Sequence, residues 1–152
     1  YVVILLVLIP YFFCVTGVMY NLFGVPRAII LNSEGEQYDV TYVHDQETYA
    51  AKWLKSYTDE KTKIYADWYG VDRLKSQGMI RSPIYARSLI EDNNSIKEGY
   101  IYLRYTGVVN GKLMDRKYQW HNITEYPHLF VGKSKIYCNG GSEVWACFKM
   151  HL

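Results

Sequence analysis

Residues 1–26 contain no Asp, Glu, Lys, Arg or His, so all 17 basic and all 15 acidic residues fall from Arg27 onward. Tyr1–Gly24 is an almost continuous apolar run. Wound as one helix rising 1.5 Å per residue it would reach about 36 Å, more than the roughly 30 Å of a bilayer's hydrocarbon. The expectation is a transmembrane helix over 1–24. A signal peptide fits less well, because no basic stretch opens the run, the run is longer than an ordinary signal core, and no small-x-small cleavage pattern precedes Arg27. A buried helix of a larger soluble protein would show a polar face, and none is present. Pro10 is read as a plain kink. The first residue is Tyr, with no charged flank before the apolar run. The segment is therefore expected to be the last span of a longer protein whose upstream transmembrane helices pack beside it.

The chain as a whole is ordinary in composition. With 49% hydrophobic and 21% charged residues and a net charge of +2 over its full length, it has the apolar content of a globular protein. Its Lys and Arg form no cluster that would mark a nucleic-acid partner. Residues 25–41 carry turn formers without a sustained period and read as a connector. Residues 42–152 read as an α/β domain, a mixed small sheet with helices in two or three layers. A helix is expected within 44–57, capped by Asp45, with Tyr49, Ala50, Trp53, Leu54 and Tyr57 as its apolar stripe. A short strand at 63–67 and a helix from Trp68 to Gln77 follow, with Gly78 as C-cap. Tyr100–Tyr105 is the best strand. Asn110-Gly111 signals a tight hairpin, and 134–138 with 143–148 flank the Asn139-Gly140-Gly141-Ser142 loop.

Chemistry is harder to find. There is no G-x-G-x-x-G, P-loop, G-x-S-x-G, H-E-x-x-H or C-x-x-C, so nucleotide, hydrolase, zincin and thioredoxin readings lack their mechanical parts. His44, His121, His128 and His151 show no metal-ligand spacing. The most suggestive cluster follows the 63–67 strand, since ligands of open α/β sheets bind beyond the carboxyl ends of strands. There Asp67 could accept from sugar hydroxyls, Trp68 or Tyr69 could stack on a sugar face, and Arg73 could meet an anion. The plainer alternative has Asp67 capping the helix, Trp68 and Tyr69 in the core, and Asp72-Arg73 solvated. Asn93 and Asn122 both open N-x-[ST] glycosylation patterns, which matter only outside the cytoplasm. Cys138 and Cys147 are close enough in sequence for a disulfide across a hairpin in an oxidising compartment. Sixteen tyrosines suit a carbohydrate-facing or membrane-interface surface as well as a strand-rich core.

Three phrases, D-x-E-x-x-A-A-K-W-L (Asp45–Leu54), K-I-Y-A-D-W-Y-G-x-x-R-L (Lys63–Leu74) and K-I-Y-x-N-G-G-S-E-V (Lys135–Val144), follow the apolar segment. In this order they resemble the C-terminal region of uncharacterised archaeal polytopic membrane proteins similar to GT-C-type glycosyltransferases, which use lipid-linked sugar donors. The resemblance implies a domain on the outer side of the cell membrane. It also implies a parent whose catalytic acids and divalent metal lie in its N-terminal part, so no catalytic residue and no cofactor carries over to these positions. The expected function is an extracytoplasmic accessory domain that helps hold a glycan acceptor, with Asp67, Trp68, Tyr69 and Arg73 as contacts. The alternative is a noncatalytic structural or interaction module at the cell surface.

Overall fold

The computed structural model of the chain describes residues 2–16, 18–23, 35–81, 83–85, 96 and 98–147. Two compact units are present, residues 1–38 and 39–152. The first holds two helices, α1 (Val2–Val15, 14 residues) and α2 (Val18–Phe23, 6 residues). At 1.5 Å per residue they are about 21 Å and about 9 Å long, short of the roughly 30 Å that a span requires. Thr16 follows α1, its backbone N–H (2.9 Å) and its hydroxyl (2.7 Å) both donating to the Phe12 carbonyl. Pro10, inside α1, has no N–H to give the helix. Among the described residues no helix is long and apolar enough to cross a membrane. This corrects the expectation of one transmembrane helix over 1–24, which treated the apolar run as a single rod.

Within 25–41, residues 25–34 lie outside the described set and Glu36–Thr41 form a short helix, α3. The second unit continues through α4 (Asp45–Tyr57), β1 (Ile64–Ala66), α5 (Trp68–Gly78), β2 (Ile84–Tyr85), β3 (Gly99–Leu103) and α6 (Tyr105–Val108). After these come β4 (Lys112–Met114), β5 (Trp120–Asn122), 3-10 turns at Ile123–Glu125 and Pro127–Leu129, β6 (Ser134–Cys138) and β7 (Glu143–Cys147). The main sheet runs β2-β1-β3-β7-β6, and β4 pairs with β5 separately. Strands β2, β1 and β3 are parallel, while β3–β7 and β7–β6 are antiparallel.

Strand alternation divides the core in two, as a period of two requires. Ile64, Ala66, Tyr102 and Val144 meet Ala50, Ala51 and Leu54 of α4 and Val71 and Leu74 of α5 on one face. Ile101, Leu103 and Cys147 meet Leu113, Leu129, Ile123, Tyr126 and Phe130 on the other. The result is three layers, with a helix pair on one side of the sheet and the β4–β5 hairpin with its 3-10 turns on the other.

Several elements differ in detail from their sequence signals. The buried stripe of α4 is Glu47, Ala50, Ala51 and Leu54, rotated from the expected one, while Tyr49 and Tyr57 are 64% and 67% exposed. Small side chains face inward because α5 approaches closely: a Cβ on Gly78 would lie 2.9 Å from the Ala51 carbonyl oxygen. Gly78 is therefore taken up by helix contact, and the left-handed cap falls on Met79, at φ 52°. Asn110-Gly111 turns no hairpin. Residues 105–108 are helical, Ile123 N–H donates to the Gly111 carbonyl at 2.8 Å, and β4 reverses instead through 115–119.

Cys138 and Cys147 are free thiols, which corrects the disulfide expectation. Cys138 stands opposite Glu143 in the β6–β7 register, and Cys147 lies four residues farther along β7, opposite Gly99. At about 3.3 Å per residue the two are about 13 Å apart along the strand, beyond the roughly 7 Å that a disulfide can bridge between Cα atoms.

Candidate functional site

The strand order 2-1-3 reverses direction between β1 and β3, and the crevice beyond their carboxyl ends is where an α/β sheet of this kind binds ligands. Asp67 follows β1 and Arg104 follows β3, so both stand in that crevice. Asp67 caps α5: its Oδ1 accepts from Gly70 N–H at 2.7 Å. Its Oδ2 accepts from Arg104 Nε at 3.2 Å and from Met114 N–H at 3.3 Å. Glycine is required at position 70, because a Cβ there would lie 2.6 Å from Asp67 Oδ1.

A second ion pair lies beside the first. Glu47, fully buried, accepts from Arg73 Nε at 2.9 Å through Oε2 and from Tyr105 N–H at 3.1 Å through Oε1. Its Oε1 is also 3.8 Å from Arg104 Nη1. Arg73 Nη2 donates to the carbonyls of Val40, Thr41 and Tyr42 at 3.0 to 3.2 Å. Arg104 Nη1 donates at 3.4 Å to Asp39 O, and its guanidinium lies 5.3 Å from the centre of the Tyr69 ring. Two carboxylates and two guanidinium groups thus neutralise one another where water is excluded, the arrangement in which buried charge is tolerated. Burial, with the charge of Glu47 as the next cause, holds the Tyr102 phenol well above its ordinary value, and its hydroxyl donates to the Glu47 carbonyl at 3.4 Å. Burial also lowers His44, which stacks on Tyr105 with ring centres 3.7 Å apart.

The crevice is therefore filled by the chain's own arginines, and its open part is the rim. Trp68 and Tyr69 are half-buried, Tyr118 is 61% exposed, and Trp68 meets Tyr118 edge-on at 5.9 Å. The Arg116 guanidinium lies 5.8 Å from the Trp68 ring centre. A braced turn carries Arg116 and Tyr118. Asp115 Oδ1 accepts from the backbone N–H groups of Lys117 and Gln119, both at 2.8 Å. Its Oδ2 is 3.2 Å from His121 Nε2, and His121 Nδ1 is 3.0 Å from the Tyr126 hydroxyl.

Of the four sequence candidates, Asp67 and Arg73 direct their polar atoms inward and hold the fold, whereas Trp68 and Tyr69 reach the surface. Sequence reasoning missed Glu47, Arg104, Arg116 and Tyr118. Glu47 had a visible signal, since 47, 50, 51 and 54 share one helix face. Arg104 had another, as the one charge closing the apolar strand Tyr100–Leu103. Asn122 is exposed, its amide donating to Glu125 Oε1 at 3.2 Å, and Asn93 lies outside the described residues. Among the described residues no three His, Cys, Asp or Glu side chains come together to hold a metal ion.

What these observations define is a three-layer mixed α/β domain with a self-neutralised crevice and an aromatic rim, in a chain that begins with an uncharged apolar stretch. The chain belongs to the DUF2206 family of predicted membrane proteins, which matches residues 1–145. No curated protein and no solved structure matches it.

Proposed function

We propose that residues 39–152 form an extracytoplasmic accessory domain of a membrane protein of the glycosyltransferase-like kind that the sequence phrases resemble, acting in surface glycan or glycoprotein assembly. Its role is to hold the glycan acceptor. The rim of exposed Tyr118 and half-buried Trp68 and Tyr69 beside Arg116 carries this reading, because aromatic rings that reach solvent next to a guanidinium are groups that stack on sugar rings and bond to their hydroxyls. Asp67 and Arg73 are positioning residues, the one fixing the start of α5 and the other tying α5 to residues 40–42. The exposed Asn122 acceptor pattern supports the outward topology.

The test is an array of neutral and acidic oligosaccharides probed with the full chain in detergent, alongside Trp68→Ala and Tyr118→Ala variants checked for unchanged melting. Saturable binding lost in both variants is expected. Absence of binding to every glycan would remove the reading and leave the alternative, a noncatalytic interaction module, which the open edge of β6 and the exposed Tyr49 and Tyr57 favour. Protease added to intact cells should digest the domain in the parent protein, and protection until permeabilisation would overturn the outward placement.

A further inference from the structure

The corner where α5 ends carries a different surface. Met79 occupies the left-handed position that glycine ordinarily takes at a helix end, and this conformation costs an L side chain free energy that glycine would not pay. The strain does not serve packing, because Met79 is 73% exposed. Around it, Lys55 near the end of α4, Lys75 in the last turn of α5, and Arg81 line an open groove of about 460 Å³ together with Glu60, Met79 and Ile80. Lys52 is exposed one turn before Lys55. Among the described residues the acids beside these cations are Glu60 and, on the side toward Thr62, Asp59; Glu60 reaches Arg81 at 4.0 Å with both side chains largely in water, a contact of little strength. Lys55 and Lys75 also complement the negative ends of their helices, but that leaves Arg81, beyond the helix, and the outward methionine without a reason.

We infer that this corner docks on an anionic bilayer surface, with Met79 entering the boundary between headgroups and acyl chains and Lys52, Lys55, Lys75 and Arg81 meeting lipid phosphates. An apolar knob ringed by long cationic side chains is the arrangement that binds such surfaces, since each cation gains from the negative surface potential while the knob gains from burial. A soluble phosphate would engage the cations but make no use of the methionine. Membership of a membrane protein family places a bilayer within reach of the chain. The inference is independent of glycan binding, which uses the opposite ends of β1 and β3.

The experiment uses the full chain in vesicles of phosphatidylcholine alone or mixed with phosphatidylglycerol, in a Cys14→Ser, Cys138→Ser background. A nitroxide is attached through Met79→Cys or, for comparison, Lys117→Cys in the β4–β5 turn. The label at 79 should show a several-fold higher ratio of oxygen to nickel-chelate accessibility in the anionic vesicles, the label at 117 no change, and Lys55→Gln with Arg81→Gln should return position 79 to the aqueous ratio. In the chain with Met79 intact, amide exchange over 74–81 should slow in the anionic vesicles only, a readout that needs no label. An aqueous ratio at 79 in both vesicle types, with unchanged exchange, would overturn the inference. Equal immersion in neutral vesicles, insensitive to the charge variants, would overturn it equally.

Discussion

Glu47→Gln isolates what the buried charges contribute. The substitution keeps the shape of the side chain and an oxygen for Tyr105 N–H, but it leaves Arg73 and Arg104 facing Asp67 alone, one uncompensated positive charge where Glu47 and the Arg104 side chain are fully buried. Removing one partner of a buried ion pair costs about 3–5 kcal/mol, a large fraction of the roughly 5–15 kcal/mol that holds a domain together. At about 4 °C per kcal/mol for a domain near this size, the midpoint should fall by about 12–20 °C. The comparison is Glu98→Gln, which breaks the exposed Lys63–Glu98 contact of 3.1 Å and should leave the midpoint where it is. Thermal melts followed by circular dichroism, with the full chain in one detergent, measure both. A Glu47→Gln midpoint within a few degrees of the parent would mean that water reaches the cluster, and the account of a sealed crevice would fail.

Gly78→Ala should cost about 1–3 kcal/mol, because the new methyl meets the Ala51 carbonyl oxygen and Cβ at 2.9 and 3.3 Å; unchanged urea midpoints would refute the close helix approach. Met79→Gly should instead stabilise by about 1 kcal/mol through relief of the left-handed strain, read in the same urea titration. His44 is lowered by burial, so the folded state binds its proton less readily than the unfolded chain. Stability is then complete above about pH 6.5 and declines as the pH drops below it toward the lower folded value; His44→Phe, which keeps a ring on Tyr105, should flatten that decline. Burial tends to raise Asp115, but hydrogen bonds from Gln119 N–H, His121 and Lys117 N–H hold it below the usual carboxylate value. Its stabilisation is thus full above about pH 4 and lost as the pH falls through the lower folded value, a dependence that Asp115→Asn should abolish. A maleimide should modify exposed Cys138 promptly and buried Cys147, whose thiol burial pushes up, only on unfolding; a mass two hydrogen atoms short that a reductant restores would contradict both.

The parts of the fold that were legible are those fixed by neighbours in sequence. Asp67 before Trp68-Tyr69-Gly70 announces a helix start, and Tyr100–Tyr105 announces a strand through its aromatic and β-branched residues, although the strand ends at Leu103 and Tyr105 opens α6. What failed depended on partners far along the chain. The α4 stripe rotated because Gly78, some 27 residues beyond Ala51, sets how near α5 comes, and proximity favours alanine over tyrosine. Asn110-Gly111 lost its hairpin because Val108 packs into the second core, while the real reversal at 115–119 rests on an aspartate turn with no glycine to mark it. The ligand expectation at Asp67, Trp68, Tyr69 and Arg73 left out Arg104, which lies buried against Asp67 in that crevice. Charges in a crevice look alike in sequence whether they await a ligand or each other.

Strand β3 has a parallel neighbour on one side and an antiparallel neighbour on the other. During synthesis β1, α5, β2 and β3 emerge well before β7, yet Val144 and Ala146 are among the fully buried side chains of the unit. Until β7 arrives, β3 presents a bare hydrogen-bonding edge, and the two cores lack Val144 and Cys147 respectively. Order of synthesis and order in the sheet run against each other, and pairing over so long a stretch of chain slows folding, because the loop must close before the contacts that reward it form.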